Sequence, residues 1–417
     1  MNTPRTTAAP VLELEATGLR VLVKHNPAHE VVAARLYTRG GAANLTAANA
    51  GAEAMYARLA RRGTQRYPKE VLNGLVSRLG IDLGAAVSHD TTVFTLRCLR
   101  RFLDEAWDAF VAVIAEPLLD AADLEIVRQQ MLLERRQALD SPDGALGELA
   151  RERVYANHPY AANPQGTEAS LTGLDAGMLR AHAARCFTRS NALMVVVGDI
   201  ARPDAERLAA RFAALPAGSG PAALPPPLHF DAGSARIEAR ELPTNYVLGE
   251  FTAPALHDAD HPAMQLALSV LRDRFFEEVR TKRNLSYAPS ASLGHDVCNL
   301  GSIYVTAVDV PTTLGVMRAE MRRLADEPMP PKELADKVRT FVTRYYLQNE
   351  TNQAQAGFLA AYELWGGGWR QASEFVTRLE AVAPEDVARV ASESFRNIQY
   401  VALGEPTAIP AGTLVDP

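Results

Sequence analysis

Two periodicities take turns along this chain. Alternation of apolar and polar residues, the mark of a half-buried strand, occurs in "LRVLVKHN" and "VVAARLYTRGG", with a turn at Pro27 between them. Apolar residues three and four apart then predict helices over about residues 47–62 and 68–79. Alternation returns in "LGAAVSHDTTVFTLRCL". Three or four helical patterns follow from Phe102 to about Cys186, and an apolar strand, "ALMVVVGDI", closes the series. In "LPAGSGPAALPPPLHF", Leu215 to Phe230, Pro and Gly crowd a stretch without periodicity, as in a linker. After Asp231 the order repeats: strand "NYVLGEFTAP", a helix from about His261 to Val279, strands "SYAPSASLG" and "LGSIYVTAVDV", a run of helices, and a last strand, "QYVALGE".

The repeat reaches single residues. Asn191 precedes Gly198 by seven positions, and Asn397 precedes Gly404 by seven. Leu174, Leu179, Ala183 and Phe187 match Val382, Val387, Ala391 and Phe395 at one constant offset, as duplicated units would. Strands grouped with consecutive helices, instead of strict βαβ alternation, place the helices on one face of a mainly antiparallel sheet. The sequence therefore predicts an α+β protein of two homologous domains, residues 1–215 and 229–417, joined by a linker over 216–228. Each domain is expected to be a mainly antiparallel sheet with helices packed on one face.

Composition and charge remove some classes of function. With 43 basic against 49 acidic residues, a net charge of −6 and no Lys/Arg run, nothing marks a nucleic-acid-binding surface. No stretch approaches the roughly 18 apolar residues of a membrane span, and "MNTPRTTAAPVLELEATGLR" has no apolar signal core, so a soluble protein is expected. Cys98, Cys186 and Cys298 are odd in number and lack a CxxC, and read as buried thiols. His25 and His29 are separated by Pro27 and share no helical face. His257 and His261 enclose Asp258 and Asp260 and are the better metal candidate, but Asp260 also reads as an N-cap before a helix with Pro262 in its first turn. His89, His158, His182, His229 and His295 have no partner at ligand spacing. "GGGW", Gly366 to Trp369, reads as a helix C-cap and turn. HExxH, HxxEH, GxSxG, Walker A and GxGxxG patterns are absent.

One stretch carries a stronger signal. "FFEEVRTKRNLSYAPSASL", Phe275 to Leu293, resembles the second-domain signature of the pitrilysin/insulinase family of zinc metallopeptidases, the inverzincins, in which an Arg is followed seven residues later by a Tyr. Here these are Arg280 and Tyr287. "HPYAANPQGTEASL", "VVVGD" and the duplicated layout extend the resemblance over nearly the whole chain. Within "NAGAEAMYARLARRGT", the segment "LARRGT" resembles the residues just after the family's HxxEH. The two His positions then fall on Ala54 and Arg58, and the catalytic Glu on Ala57. "RQQMLLERRQALDSPDG" resembles the helix of the third zinc ligand, with Glu134 at that ligand's position.

Catalytic zinc needs three protein ligands, an open position for water and a carboxylate to take the water's proton. A methyl group at residue 54 and a guanidinium at residue 58 offer no lone pair, and a cation beside Glu134 repels a divalent ion. The resemblance thus implies a chain that holds no metal and does not hydrolyse peptides alone, with Arg58 and Glu134 either paired in the metal's place or separately solvated. In the family the Arg/Tyr pair hydrogen-bonds the substrate carbonyl and the developing oxyanion, and some members divide the labour between two chains. The implied function is the non-metal-binding subunit of a heterodimeric zinc metallopeptidase. Arg280 and Tyr287 would serve an HxxEH-bearing partner that holds the zinc, peptides would enter a chamber formed by both chains, and a sheet edge would bind them by β-augmentation. A catalytically inert structural subunit and a peptide-binding, chaperone-like homodimer stay open. Neither nucleic acid nor membrane is an expected partner, and the expected compartment is the bacterial periplasm or cytoplasm.

Overall fold

Across residues 11–410 and 412–415, which the computed structural model describes, the strands form two sheets, and the second repeats the plan of the first. The first holds β1 (Val11–Ala16), β2 (Leu19–His25), β3 (Val31–Arg39), β4 (Asp82–Val87), β5 (Thr91–Leu99) and β6 (Ala192–Gly198), in the order β1-β2-β6-β3-β5-β4. The second holds β7 (Ser234–Ala239), β8 (Asn245–Thr252), β9 (Ser290–Leu293), β10 (Leu300–Ala307) and β11 (Gln399–Gly404), in the order β7-β11-β8-β10-β9. In each sheet one pairing is parallel, β2 with β6 and β7 with β11, and the others are antiparallel. Leaving β1 aside, the two sheets match strand for strand in order and sense. The fold is α+β and mainly antiparallel, as the sequence predicts.

Backbone geometry explains one of the repeated residue pairs. β6 and β11 end on Gly198 and Gly404 at φ +155° and +151°, where residues with a Cβ are strained. A Cβ at Gly404 would also lie 2.1 Å from Asn245 Oδ1, and one at Gly198 3.0 Å from Val32 Cγ2.

The first half carries helices α1 (Ala52–Ala60), α2 (Lys69–Leu79), α3 (Leu103–Ala115), α4 (Ala121–Asp140), α5 (Pro142–Val154), α6 (Glu168–Gly173), α7 (Ala176–Cys186) and α8 (Arg202–Ala210). The second carries α9 (His261–Phe275), α10 (Val310–Asp326), α11 (Pro331–Gln348), α12 (Asn352–Trp365), α13 (Phe375–Glu380) and α14 (Pro384–Ser394). On the first sheet, Val21, Leu36, Phe94 and Met194 face a core that includes α1 and α3. Trp107, Phe110 and Phe212 meet edge to face there with centroids 5.8–6.0 Å apart, and the Trp107 indole donates to the Leu208 carbonyl at 2.9 Å. The corresponding core on the second sheet is built on Phe251, Leu271, Phe275, Ile303 and Tyr400.

The compact units are not contiguous in sequence. One takes the chain up to Arg135, Ala162–Leu224 and Leu347–Leu364; the other takes Arg136–Ala161, Pro225–Tyr346 and the chain from Trp365. Each therefore includes a helix from the other half, α12 in the first and α5 in the second, which a division at the linker does not anticipate. The reason lies in β6 and β11, which are buried at every position and need cover on both faces. Leu146, Leu149 and Ala150 of α5 pack on Val401 and Leu403, and the Tyr304 hydroxyl donates to Asp143 at 2.6 Å. On the first sheet Asn352 donates to the Val31 carbonyl at 2.6 Å, Gly357 lies against Arg35, and Glu363 pairs with Arg20.

Local differences from the sequence reading have physical causes. The helix expected from about residue 47 starts at Ala52, because Gly51 holds φ +84° with a Cβ position only 2.8 Å from Gly166 Cα. The helix expected to reach Val279 is regular to Phe275 and then widens into a π turn, Phe276–Thr281. Asp260 makes no cap hydrogen bond; it accepts two bonds from Arg389 instead, at 2.9 and 2.6 Å. Strands β1 and β7 lie at sheet edges, and the apolar pattern does not predict them. Among the described residues, no helix is long and apolar enough to cross a membrane.

Two substitutions separate backbone strain from helix propensity. Gly404→Ala, at positive φ and against Asn245, is expected to lower stability by about 1–3 kcal/mol or more. Gly315→Ala, in α10 with open space around its Cβ position, is expected to raise it by up to about 1 kcal/mol. Thermal denaturation of both variants checks this, and the opposite order of midpoints would contradict it.

Candidate functional site

Helix α1 is the centre of the first candidate site. Ala54 and Ala57 are buried on it, and Arg58 stands in its last turn, where a cation is favoured by the helix dipole. Helix α4 brings Glu134 to the same place. Arg58 Nη1 donates to Glu134 Oε1 at 2.9 Å and Nη2 to Oε2 at 2.7 Å, so the two are paired in a bidentate fork. The hydrogen bonds from Arg58 hold the Glu134 carboxyl below its ordinary range, against the opposing effect of burial. Both carboxylate oxygens are engaged, and residues 54, 57 and 58 present no donor atom for a metal. These residues do not fit a zinc ion.

A cleft of about 600 Å³ opens beside them. Its lining includes Arg58, Arg61, Arg62 and Lys69 on one side and Ala85, Ala86 and Val87 of β4 on another. Arg62 donates to Asp123 and to Gln130, each at 3.1 Å, and Lys69 donates to Asp123 at 2.7 Å. β4 pairs with β5 alone among the described strands, so its outer edge is open to another extended segment.

Arg280 and Tyr287 form a separate arrangement. Arg280 lies in the π turn, and Asn284 at φ +49° ends the helical path, with Leu285 N donating to the Val279 carbonyl at 2.9 Å. The chain then folds back so that Arg280 Cζ stands 4.2 Å from the Tyr287 ring centroid and 4.7 Å from that of Phe276. Tyr287 is 77% exposed. Among the described residues, the Arg280 guanidinium and the Tyr287 hydroxyl have no hydrogen-bond or ion-pair partner, whereas Lys282 and Arg283 pair with Glu278. Tyr287 does not start the strand expected from "SYAPSASLG". Pro289 supplies no N–H to a ladder, and β9 begins at Ser290.

The sequence reading missed one buried cluster. His182 and Cys186 stand four apart on α7 and share a face, and the fold brings both to Glu53, the residue before Ala54. His182 therefore does have partners at ligand spacing, contrary to the expectation, and the i, i+4 spacing on a predicted helix was the available signal. The ligand atoms of Glu53, His182 and Cys186 lie within 4.8 Å of one another. Glu53 is fully buried and saturated: Oε1 receives His182 Nε2 at 2.8 Å and Asn44 Nδ2 at 3.1 Å, and Oε2 receives the Thr92 hydroxyl. Such a carboxylate serves a hydrogen-bonded ion pair better than a metal. Burial, the largest influence on His182, disfavours its charged form. The hydrogen bonds to Cys186 and Glu53, with their Coulombic pull, outweigh it and push the imidazole up to about 9. Arg185 Nη2, 3.1 Å from Nδ1, donates to that nitrogen when it is unprotonated and so works against the charged form. The three cysteines are buried, as expected. His257 and His261 bond separately, to Asp258 and to the Pro254 carbonyl, and form no metal cluster among the described residues.

Two outcomes follow from these sites. Because its folded pKa lies above the ordinary 6.5, His182 contributes stability that is complete below that value and lost as pH rises through about 9. The thermal-midpoint gap between the wild type and His182→Gln should therefore narrow between about pH 7 and pH 10, from up to roughly 3 kcal/mol. A gap that widens with pH would contradict the assignment. Second, the triple variant Ala54→His, Ala57→Glu, Arg58→His should retain one Zn²⁺ per chain after dialysis, with Glu134 released as a ligand. Metal content and the Co²⁺ visible spectrum read this directly; a metal-free triple variant would refute the register of the motif.

Comparisons with known proteins bear on the family and the fold. Residues 20–168 match the family model described as insulinase (peptidase family M16), and residues 173–341 match the one described as peptidase M16 inactive domain. An uncharacterized zinc protease of Streptomyces coelicolor is 22% identical over 390 residues, spanning 90% of this chain and 85% of that protein. The mitochondrial-processing peptidase subunit beta of Blastocladiella emersonii is 21% identical over 428 residues, spanning 98% of this chain and 91% of that protein. A crystal structure of a peptidase M16 inactive domain from Pseudomonas fluorescens shares the fold, with a TM-score of 0.88 at 21% identity over 95% of this chain and 98% of that one. The two family models follow each other along most of the chain, and the chain belongs to peptidase family M16, the insulinase family.

Proposed function

We propose that this chain is the non-metal-binding subunit of a heterodimeric zinc metallopeptidase, and that it supplies Arg280 and Tyr287 to the active site of an HxxEH-bearing partner. The observation that carries the reading is the Arg280–Tyr287 stack, with both polar ends unclaimed, in a chain whose residues 54, 57 and 58 offer no metal ligand. Stacking on Phe276 and Tyr287 restricts the guanidinium while leaving its N–H groups free to donate. Amide hydrolysis can use such a pair, because negative charge develops on the carbonyl oxygen and directed donors stabilise it more than the ground state.

The division into subunits is supported by the relative named as a subunit, mitochondrial-processing peptidase beta. In this reading the zinc and its proton-accepting carboxylate belong to the partner, and the open edge of β4 is where an extended peptide adds as a strand. The compartment would be the bacterial periplasm or cytoplasm.

Hydrolysis of a quenched fluorescent peptide, with zinc present, tests the proposal on this chain, the partner and their mixture. Activity should appear in the mixture alone. Arg280→Ala should lower kcat by about 100-fold or more and Tyr287→Phe by at least about tenfold, with the complex intact by size-exclusion chromatography. A partner equally active alone, or substitutions without effect, would make this chain a scaffold.

A further inference from the structure

The cleft next to α1 has the opposite charge to the chain as a whole. The protein carries a net charge of −6, yet four cations, Arg58, Arg61, Arg62 and Lys69, line this cleft with one carboxylate, Glu134. Three of the four have a carboxylate partner: Arg58 has Glu134, while Arg62 and Lys69 share the single charge of Asp123. Arg61 has none. Its contacts are long ones to backbone carbonyls, Nε to Ala57 at 3.4 Å and Nη1 to Leu83 at 3.5 Å, and no carboxylate lies within ion-pair distance of it among the described residues. The nearby Asp82 is engaged by Arg97 at 3.0 Å. Arg61 thus stands between two like charges on its own helix end with its forked donors available to an incoming anion.

The remaining lining indicates which anion. Ala54, Ala57 and Val127 are apolar, Asn73, Gln130 and Gln165 offer amide groups, and Ala85 to Val87 belong to the edge strand β4. A chain added to that edge presents backbone to β4 and alternate side chains to the cleft. We infer that this cleft binds the C-terminal carboxylate of a peptide lying along β4, with Arg61 as its principal partner. The former metal site would then be a carboxylate anchor, with Arg58 and Glu134 as its back wall. The peptide identity of the ligand rests on the proposed function; the anion site rests on the cleft itself.

Fluorescence anisotropy of the full chain tests this with one short apolar peptide made as the free acid and as the C-terminal amide. The acid should bind at least about tenfold more tightly than the amide, the effect of one charge-assisted fork. Arg61→Gln should bring the acid to the amide's affinity and leave the amide unchanged, and Arg61→Lys should restore part of the preference. Arg61 is exposed, and an unchanged thermal midpoint verifies that the variants fold. Equal binding of acid and amide by the wild type, a preference that persists in Arg61→Gln, or displacement of the acid by inorganic phosphate at equal concentration would each overturn the inference. If neither peptide binds, the anchor is refuted while the mixed-subunit assay still decides the role of Arg280 and Tyr287. An inactive mixture with intact acid preference would refute the catalytic role and leave the anchor standing.

Discussion

A strand that is apolar at every position has to be covered on both faces, and this fold contains two such strands, β6 and β11. One face of each sheet is filled by the helices of its own half. The other receives a helix from the opposite half, α12 on the first sheet and α5 on the second. The positions of α1 and α4 depend on this arrangement. With the outer face of the first sheet occupied by α12, these helices pack on the inner core, and the end of α1 meets α4 and the edge strand β4 at one cleft.

Helix α1 then carries two carboxylate–cation pairs of very different energetic weight. Glu53 lies fully inside the protein, and its two oxygens are met by donors of His182, Asn44 and Thr92. Removing one partner there strands a buried charge, which typically costs about 3–5 kcal/mol. Arg58 and Glu134 are 28% and 55% exposed, and a pair of that kind contributes about 1 kcal/mol or less. The second pair is therefore of little importance to folding. Its effect is chemical: it occupies both oxygens of a carboxylate beside two alanines that donate nothing.

Much of this was legible in the sequence, because period-two alternation and apolar runs identify strands wherever a sheet face is buried. β2, β3, β6, β8, β10 and β11 all show it. β7 escaped because it is a mostly exposed edge strand, and its polar positions are those of a surface loop. The exchange of α5 and α12 left no local trace, since an amphipathic helix does not record which sheet it will cover. Arg58 and Glu134 could be matched through the family resemblance, but their pairing needed coordinates. The same holds for His182, whose spacing to Cys186 was visible while Glu53, far away in sequence, was not. The widened turn at Arg280 and the loop at Tyr287 show the limit of periodicity: both depart from regular structure where side chains are aimed outward.

The fork between Arg58 and Glu134 also sets how far this helix end stands from holding a metal. Residues 54, 57 and 58 present no ligand atom, and the carboxylate opposite them has both oxygens engaged. A glutamate at 57 alone would bury an unpartnered acid where the present side chain is 4% exposed. A histidine at 54 or 58 alone would offer one nitrogen beside Glu134, short of the three protein ligands that catalytic zinc needs. Single substitutions therefore alter this helix end without creating a metal centre.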